Sequence, residues 1–345
     1  MEGLPSLIKI NRVVLYSFRK GILMDKIRDY LSSYGFNYDE ASSLDFSSIS
    51  SYDALFLIGT DHDLLNVLQQ IGDKIIPILH ISPPGYTSFF ASIEWSSLEE
   101  GLKRIVSGDY DLVEYMRLKA YIDNEGPFYG LNELALFSSR SAVLVNYDLH
   151  VDKEFIWSDT SDGLIIATPT GSTAYAYSAG GPIVMRDADV LVIVPVNSLN
   201  PMRRPLIVPA TAEIRVSGIT SSYKCEAIID GVRRIRVRKE VLVTQADKPA
   251  LFIRLGRRLS EQIVRKIKLA IEDLDLPPSA KYVYKMLEIH GEATVKDLVE
   301  ITGLPERTVR HALSILLEKG LVERVVNLRD ARQRIYRVSK TYSQK

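Results

Sequence analysis

The sequence predicts three parts in order: a parallel α/β domain, a β-rich domain and a small α+β module. Three observations carry this. Strand-like and helix-like segments alternate over residues 1–112, and β-branched segments separated by turn signals dominate residues 113–258. A Pro277-Pro278 pair then breaks the chain ahead of a basic, helical C-terminal stretch at 279–345. Two successive prolines cannot continue a helix and favour extended backbone before them. The length of 345 residues agrees, because one domain usually takes about 100–200.

The first part opens on a short β-branched run, RVVLY at 12–16. Residues 20–34 have helical character and stop at Gly35. Ala54–Ile58 (ALFLI) is continuously apolar, as expected for a strand buried on both faces. DLLNVLQQI follows as a helix and KIIPILHI as the next strand. Such a β-α-β-α-β series predicts an open parallel sheet covered by helices. In the second part, strands are expected in ALFSSRSAVLVNYDLHVD, GLIIATP, ADVLVIVPV, AEIRVSG, CEAIIDG and IRVRKEVLVTQ. SEQIVRKIKLAIEDLD then reads as a helix, with Ser260 as N-cap and Ile263, Ile267, Ala270 and Ile271 at helical spacing. Residues 259–278 are therefore expected to be a connector or dimer helix with its Pro-Pro linker; packing back on the first domain is the alternative. The serines of 42–51 suggest a loop.

Composition excludes several function classes. Hydrophobic residues at 46% and charged residues at 25% are globular values, not those of a mainly disordered chain. Lys and Arg number 43, as do Asp and Glu, so the whole chain is not a uniformly basic nucleic-acid binder. The charge is uneven, however. Residues 277–345 hold 13 Lys and Arg against 8 Asp and Glu, a net +5, which leaves −5 for the rest. A single cysteine, Cys225, excludes a disulfide framework and a Cys-rich zinc site. No apolar run approaches the roughly 20 residues that span a bilayer, and MEGLPSLIKINR lacks the apolar core of a secretory signal. A soluble, cytoplasmic protein with no membrane partner is expected.

Chemistry concentrates in DGLIIATPTGSTAYAYSAGGPIV, residues 162–184. An apolar strand at 164–167 runs into a turn dense in hydroxyls and backbone donors. Gly171, Ala174, Gly180 and Gly181 leave little side chain between the backbone and a ligand. Hydroxyls and amide N–H groups suit phosphate and ribose oxygens, and Tyr175 offers a ring to a base. Composition alone also fits a Gly/Ser-rich connecting loop.

The same stretch resembles the signature of the ATP-dependent NAD kinase family, in which a strand is followed by T-P-T-G-S-T-A-Y and then S-A-G-G-P. Leu131-Asn132-Glu133 resembles the family's N-E motif, and NSLNPMRRPLIVP (197–209) resembles its S-L-S-x-R-P segment. The resemblance spans about residues 10–258. It implies a Rossmann-like α/β N-terminal domain on the phosphate-donor side, a β-sandwich NAD-binding domain and a homo-oligomer, dimer or tetramer. It also implies that Asn132 and Glu133 hold the adenosine side of NAD, that Asp162 lies near the nicotinamide end, and that Thr173, Ala174, Tyr175 and Ser178 surround adenine. Glu133, an acceptor-only carboxylate, suits ribose hydroxyls. Alone, Asn132-Glu133 would read as a solvated turn.

Two stretches depart from the family pattern. Where the family has G-G-D-G-T, this chain has Gly59-Thr60-Asp61-His62-Asp63 after its early strand. Asp61 remains as the expected general base on the ribose hydroxyl. Thr60 and His62 add side chains where backbone would approach phosphates, and Asp63 adds a carboxylate that repels them unless a cation lies between. Asp61 and Asp63 could recruit Mg²⁺ or a similar ion; a solvated turn is the alternative. In the next strand, His80 and Ser82 stand in place of a glycine and an asparagine of the G-I-N-x-G pattern. The NAD-side motifs are intact, so the resemblance implies NAD or NADP as substrate or ligand, and ATP as donor.

In the last part, KYVYKMLEIH is a first helix and Thr294 with Asp297 forms a capping box opening VKDLVEITG. Gly303 ends that helix and Pro305 starts a third. There Val309, Ala312, Leu313, Leu316 and Leu317 form an apolar face, while Arg307, Arg310, His311 and Ser314 lie opposite. LVERVV and RIYRVS flank an Arg-rich hairpin. This order resembles the winged helix-turn-helix family. From Arg307 onward 10 Lys and Arg face 3 Asp and Glu, the electrostatic footprint of phosphate binding. Double-stranded DNA is the expected partner. Arg307 and Arg310 would enter the major groove, with His311 and Ser314 on the same DNA-binding face, and Arg329, Arg332 and Arg334 would form the wing. A protein-interaction module is the alternative. Two functions follow: an NAD kinase-like enzyme with a DNA-binding regulatory tail, or a kinase-derived dinucleotide sensor that controls a DNA reader.

Overall fold

The computed structural model describes residues 9–17, 22–41, 48–86, 88–255, 276–326 and 334–338. The expected connector helix over 260–275 and the wing residues Arg329 and Arg332 lie outside the described residues. The chain divides into two compact units, Met1–Arg258 and Leu259–Lys345.

The first unit begins with β1 (Arg12–Ser17), α1 (Ile22–Ser33), β2 (Asn37–Ala41), β3 (Ala54–Ile58), α2 (Asp61–Ile71), β4 (Ile78–Ser82), β5 (Ile93–Glu94), α3 (Leu98–Val106) and β6 (Asp111–Tyr115). β1 pairs in parallel with β2 and β3, and β3 with β4. Every residue of β3 and β4 is buried, because helices cover both faces of the sheet. Ala54, Phe56 and Ile58 pack with Ile27, Leu31, Leu102 and Ile105 of α1 and α3. Leu55 and Leu57 point the other way, against Leu64, Val67 and Leu68 of α2. Each such side chain contributes about 1.5–3 kcal/mol by leaving water.

The chain continues through β7 (Leu118–Ile122), β8 (Glu125–Gly130), β9 (Glu133–Ser138), β10 (Val145–Val151), β11 (Glu154–Ser161), β12 (Gly163–Ala167), α4 (Tyr175–Ser178), β13 (Val190–Val196), β14 (Leu206–Pro209), β15 (Ile214–Ser221), β16 (Cys225–Ile229), β17 (Arg233–Val237), β18 (Val241–Gln245) and β19 (Ala250–Arg254). Two antiparallel sheets form, in the orders β11-β10-β15-β18-β7-β8 and β14-β13-β12-β9-β16-β17. Side chains from both sheets, among them Leu118, Leu149 and Val243 from one and Leu134, Leu164 and Ile193 from the other, make one core, so the two sheets are a sandwich. β12 is buried throughout because Ile165 and Ala167 on its other face pack under Ala176 of α4.

The expected division at residue 112 needs correction. The α/β sheet runs β2-β1-β3-β4-β19-β6, so its last two strands cross that boundary. β19 pairs in parallel with β4 and antiparallel with β6. After the sandwich the chain therefore returns to the first sheet. All five residues of β19 are buried, as a strand inside a helix-covered sheet requires.

The second unit holds α5 (Pro278–His290), β20 (Glu292–Thr294), α6 (Val295–Thr302), α7 (Glu306–Glu318), β21 (Val322–Val326) and β22 (Arg334–Val338). Val283, Leu287, Leu298, Val309, Leu313 and Leu316 form its core. The capping box of Thr294 and Asp297 is made in both directions, and Gly303 takes a left-handed φ of 68° after α6. Leu317, expected on the apolar face, is only half-buried. The short β20, which has no sequence signal, pairs with β22, and β22 with β21. Among the described residues no helix is long and apolar enough to cross a membrane.

Candidate functional site

Two of the NAD-side motifs, Asn132-Glu133 and the turn at 168–171, meet at one corner of the sandwich, built on a buried carboxylate, while Asp162 lies at the other end of β12. Asp230 follows β16, and its side chain accepts the amides of Leu131 (2.8 Å), Asn132 (2.7 Å) and Glu133 (3.1 Å). Gln69 of α2 also donates to Asp230, at 3.3 Å, and to the Tyr129 carbonyl at 2.7 Å, so it ties α2 to this corner. Burial pushes the Asp230 carboxyl up to about 6, against the pull of these donors.

The turn at 168–171 seats on the same corner. Thr168 donates its amide to the Asn132 carbonyl at 2.9 Å and its hydroxyl to the Leu131 carbonyl at 2.7 Å. The Gly171 amide donates back to the Thr168 hydroxyl at 3.0 Å. Asn132 and Glu133 are buried, and Asn132 Oδ1 has no hydrogen-bond partner among the described residues. Such an orphaned buried acceptor suits a ligand donor.

Beyond the turn, Thr173 and Ala174 are half-buried, while Tyr175 and Ser178 are exposed. The Tyr175 ring stacks on Phe137 with centroids 5.7 Å apart. Burial, then the charges of Glu133 and Asp162, push its hydroxyl pKa up, which puts these three groups within electrostatic reach of one another. Asp162 accepts from Asn197 Nδ2 at 2.8 Å. The segment that follows Asn197 lines an open pocket of about 470 Å³ with Tyr147, Asp159 and Arg203. There Asp159 accepts from Ser198 at 2.6 Å and pairs with Arg203 at 3.4 Å.

Asp61 sits in the α/β part of the first unit, at the first turn of α2. Its carboxylate accepts the amides of Phe89 at 2.6 Å and Phe90 at 3.0 Å. Thr60 is the N-cap of α2 and Asp63 its capping-box partner. Asp63 Oδ2 accepts from the Thr60 amide at 2.8 Å and from its hydroxyl at 2.9 Å. The departures at Thr60 and Asp63 thus have a local explanation: they close the helix N-terminus on itself. Gly59 must stay small, because a Cβ there would lie 2.7 Å from the Cβ of Asp63. His62 is exposed. Among the described residues no three His, Cys, Asp or Glu side chains cluster to hold a metal ion, and Asp63 is engaged by Thr60. Asp61 and Asp63 therefore do not fit a protein-built cation site.

In the second unit, Arg307, Arg310, His311 and Ser314 are exposed on α7, opposite the buried Val309, Ala312, Leu313 and Leu316. Arg310 pairs with Glu306 one turn earlier at 2.6 Å, and Arg334 is exposed at the start of β22. The sequence does not mark Asp230, Gln69 or Arg254; Thr168 lies within the 162–184 motif without a role of its own there, and His80 stands out only as a departure from the family pattern. Asp230-Gly231 reads as an ordinary hairpin turn, and a turn does not disclose a long-range carboxylate contact.

Residues 131–255 match the family model for the ATP-NAD kinase C-terminal domain, and residues 272–341 match that for the sugar-specific transcriptional regulator TrmB. The NAD kinase of Clostridium perfringens strain 13 is 31% identical over 258 residues, covering 72% of this chain and 91% of that one. The NAD kinase of Methanothermobacter thermautotrophicus is 34% identical over 217 residues, covering 62% and 76%. In fold, the first unit is similar to an Archaeoglobus fulgidus NAD kinase solved in complex with ATP, with a TM-score of 0.66 and 22% identity over 74% of this chain and 98% of that one. The chain belongs to the NAD kinase family, with a TrmB-like winged-helix module following its kinase fold.

Proposed function

We propose that the protein transfers the terminal phosphoryl group of ATP to the adenosine ribose 2′-hydroxyl of NAD, giving NADP, and that its C-terminal module binds double-stranded DNA. The observation that carries this reading is the Asn132-Glu133 corner. Asp230 fixes its backbone, the turn at 168–171 seats on it, and it offers a buried carboxylate and an unpartnered amide oxygen. In this reading Asn132 and Glu133 take the ribose, and Thr173, Ala174, Tyr175 and Ser178 take the base. Asp162 lies toward the nicotinamide. Asp61 accepts the ribose hydroxyl proton as the oxygen attacks phosphorus. Gly59, Thr60 and His62 border the triphosphate. A divalent cation such as Mg²⁺ travels with the triphosphate, as that ion commonly does.

In the same reading the protein is a cytoplasmic homo-oligomer. Two copies of α7 would address two half-sites, with Arg307, Arg310, His311, Ser314 and Arg334 toward the groove and phosphates. Incubating the purified full chain with NAD, ATP and Mg²⁺ and quantifying NADP tests the enzyme. A second reading, a dinucleotide sensor, draws support from Asp63, whose own carboxylate takes the Thr60 amide at the N-terminus of α2. Dinucleotide binding without NADP formation would select it.

A further inference from the structure

The Asp61 carboxylate is held by a brace of buried residues and backbone amides, one member of which, His80, departs from the family pattern. His80 lies fully buried in the middle of β4. Its Nε2 is 2.9 Å from the Gly59 carbonyl, two residues before Asp61. A carbonyl only accepts, so the proton must sit on Nε2. The other ring nitrogen, Nδ1, faces Asp61 Oδ1 at 4.0 Å and has no hydrogen-bond partner among the described residues. Burial pushes the imidazole pKa down, with Asp61 and the backbone of Gly59 and Phe90 opposing and Arg254 assisting.

The segment at 88–92 closes the brace from the other side. While Phe89 and Phe90 give their amides to Asp61, the Phe90 carbonyl accepts from Arg254 at 2.7 Å. Arg254 and Asp61 therefore grip opposite ends of the Phe90 backbone. Arg254 is itself buried, bonded to the Tyr115 hydroxyl at 2.8 Å and stacked on the Tyr115 and Phe252 rings. The Ser92 amide donates to the His80 carbonyl at 2.8 Å, and Ser82 donates to the Tyr86 carbonyl at 2.7 Å. The two side chains that replace a glycine and an asparagine, at 80 and 82, thus both bond to backbone, His80 to Gly59 two residues before Asp61 and Ser82 to Tyr86 three residues before Phe89.

We propose that His80 and Arg254 are positioning residues for Asp61. His80 fixes the β3–α2 corner through Gly59, and Arg254 fixes the two amides that orient the carboxylate. Both are buried, which leaves them almost no surface to offer a substrate. The inference rests on the reading that Asp61 receives the ribose hydroxyl proton.

The test uses the full chain and four variants: His80→Gln, which can keep an N–H toward Gly59, His80→Phe, which keeps the ring without the donor, Arg254→Met and Asp61→Asn. Exchange of the Phe89 and Phe90 amides is read by hydrogen–deuterium exchange, and kcat and KM for NAD by NADP formation. His80→Phe and Arg254→Met should lower kcat about 10²-fold, the scale of a misplacement near 1 Å, with KM for NAD little changed. His80→Gln should recover most of that loss. Arg254→Met and Asp61→Asn should both speed exchange at Phe89 and Phe90. Slowed turnover in His80→Gln equal to that in His80→Phe would overturn the role of the donor. Unchanged exchange in Arg254→Met would overturn the brace even in a chain without turnover, whereas faster exchange in Arg254→Met than in a wild type that forms no NADP would spare the brace and reject the kinase reading.

Discussion

The carbonyl of Asn132 lies so close over Gly171 that a Cβ on Gly171 would sit 1.9 Å from its oxygen. The turn that carries the family signature and the loop that carries Asn132-Glu133 are therefore in backbone contact, and no side chain fits between them. Gly171→Ala must push the two apart. Overpacking of this kind costs about 1–3 kcal/mol, and here it falls on the proposed ribose site. We expect Gly171→Ala to lower the melting temperature and to abolish measurable NAD binding by calorimetry, while Gly180→Ala, with open space at its Cβ but a φ of 84°, costs stability alone.

Asp230 makes the corner sensitive to pH. Its folded-state pKa, raised from 3.8 to about 6, means that the folded chain binds a proton that the unfolded chain has released between those values. Stability from this group is then fully present below pH 3.8 and is lost as pH rises through about 6. Asp230→Asn removes that dependence. The difference in melting temperature between wild type and Asp230→Asn should move in favour of wild type as pH falls from about 7 to about 5. Near neutral pH the variant should still lose about 1–3 kcal/mol, because an amide NH₂ then faces backbone donors.

Asp63 caps α2 with a negative charge, at the helix end that the proposed reading gives to the donor's phosphates. Asp63→Asn keeps an acceptor for the Thr60 amide and removes the charge. Helix stability should drop by about 0.3–1 kcal/mol. ATP should bind about fivefold tighter, roughly 1 kcal/mol. Weaker ATP binding in that variant would show that the carboxylate serves the donor.

On α7, Arg307 is exposed and Arg310 shares Glu306 across one turn. That pair is more than half exposed on both sides and so contributes little to stability. Replacing both arginines with Ala should leave the melting temperature nearly unchanged. DNA affinity should fall on all sequences, and its salt slope should flatten by about 1 for each phosphate that the variant no longer neutralises. Titrations at two salt concentrations read this directly.

Much of this architecture was legible in the sequence, for particular reasons. Ala54–Ile58 declared a strand covered on both faces because five apolar residues ran without interruption. Gly303 and the pair Thr294 and Asp297 marked the ends of α6 because helix termini have fixed chemical needs. The return of β19 to the first sheet was less legible, although ALFIR has a similar apolar run and is buried along its whole length. Its strand partners, set by topology, leave no local trace. The NAD-side residues were visible through a long motif. Asp230 was hidden because it acts on residues nearly a hundred positions away. His80 was visible as a substitution, but its bond to Gly59 appears only when β3 and β4 lie side by side.

The central claim is that Asp61 takes the proton of the NAD ribose hydroxyl in a site whose NAD side is independent of it. The most direct measurement compares wild type with Asp61→Asn, quantifying NADP formed from NAD, ATP and Mg²⁺ alongside NAD affinity by calorimetry. The account predicts NADP formation by the wild type, a loss of about 10²–10⁴ in kcat for the variant and nearly unchanged NAD affinity. Wild-type turnover in Asp61→Asn would contradict it.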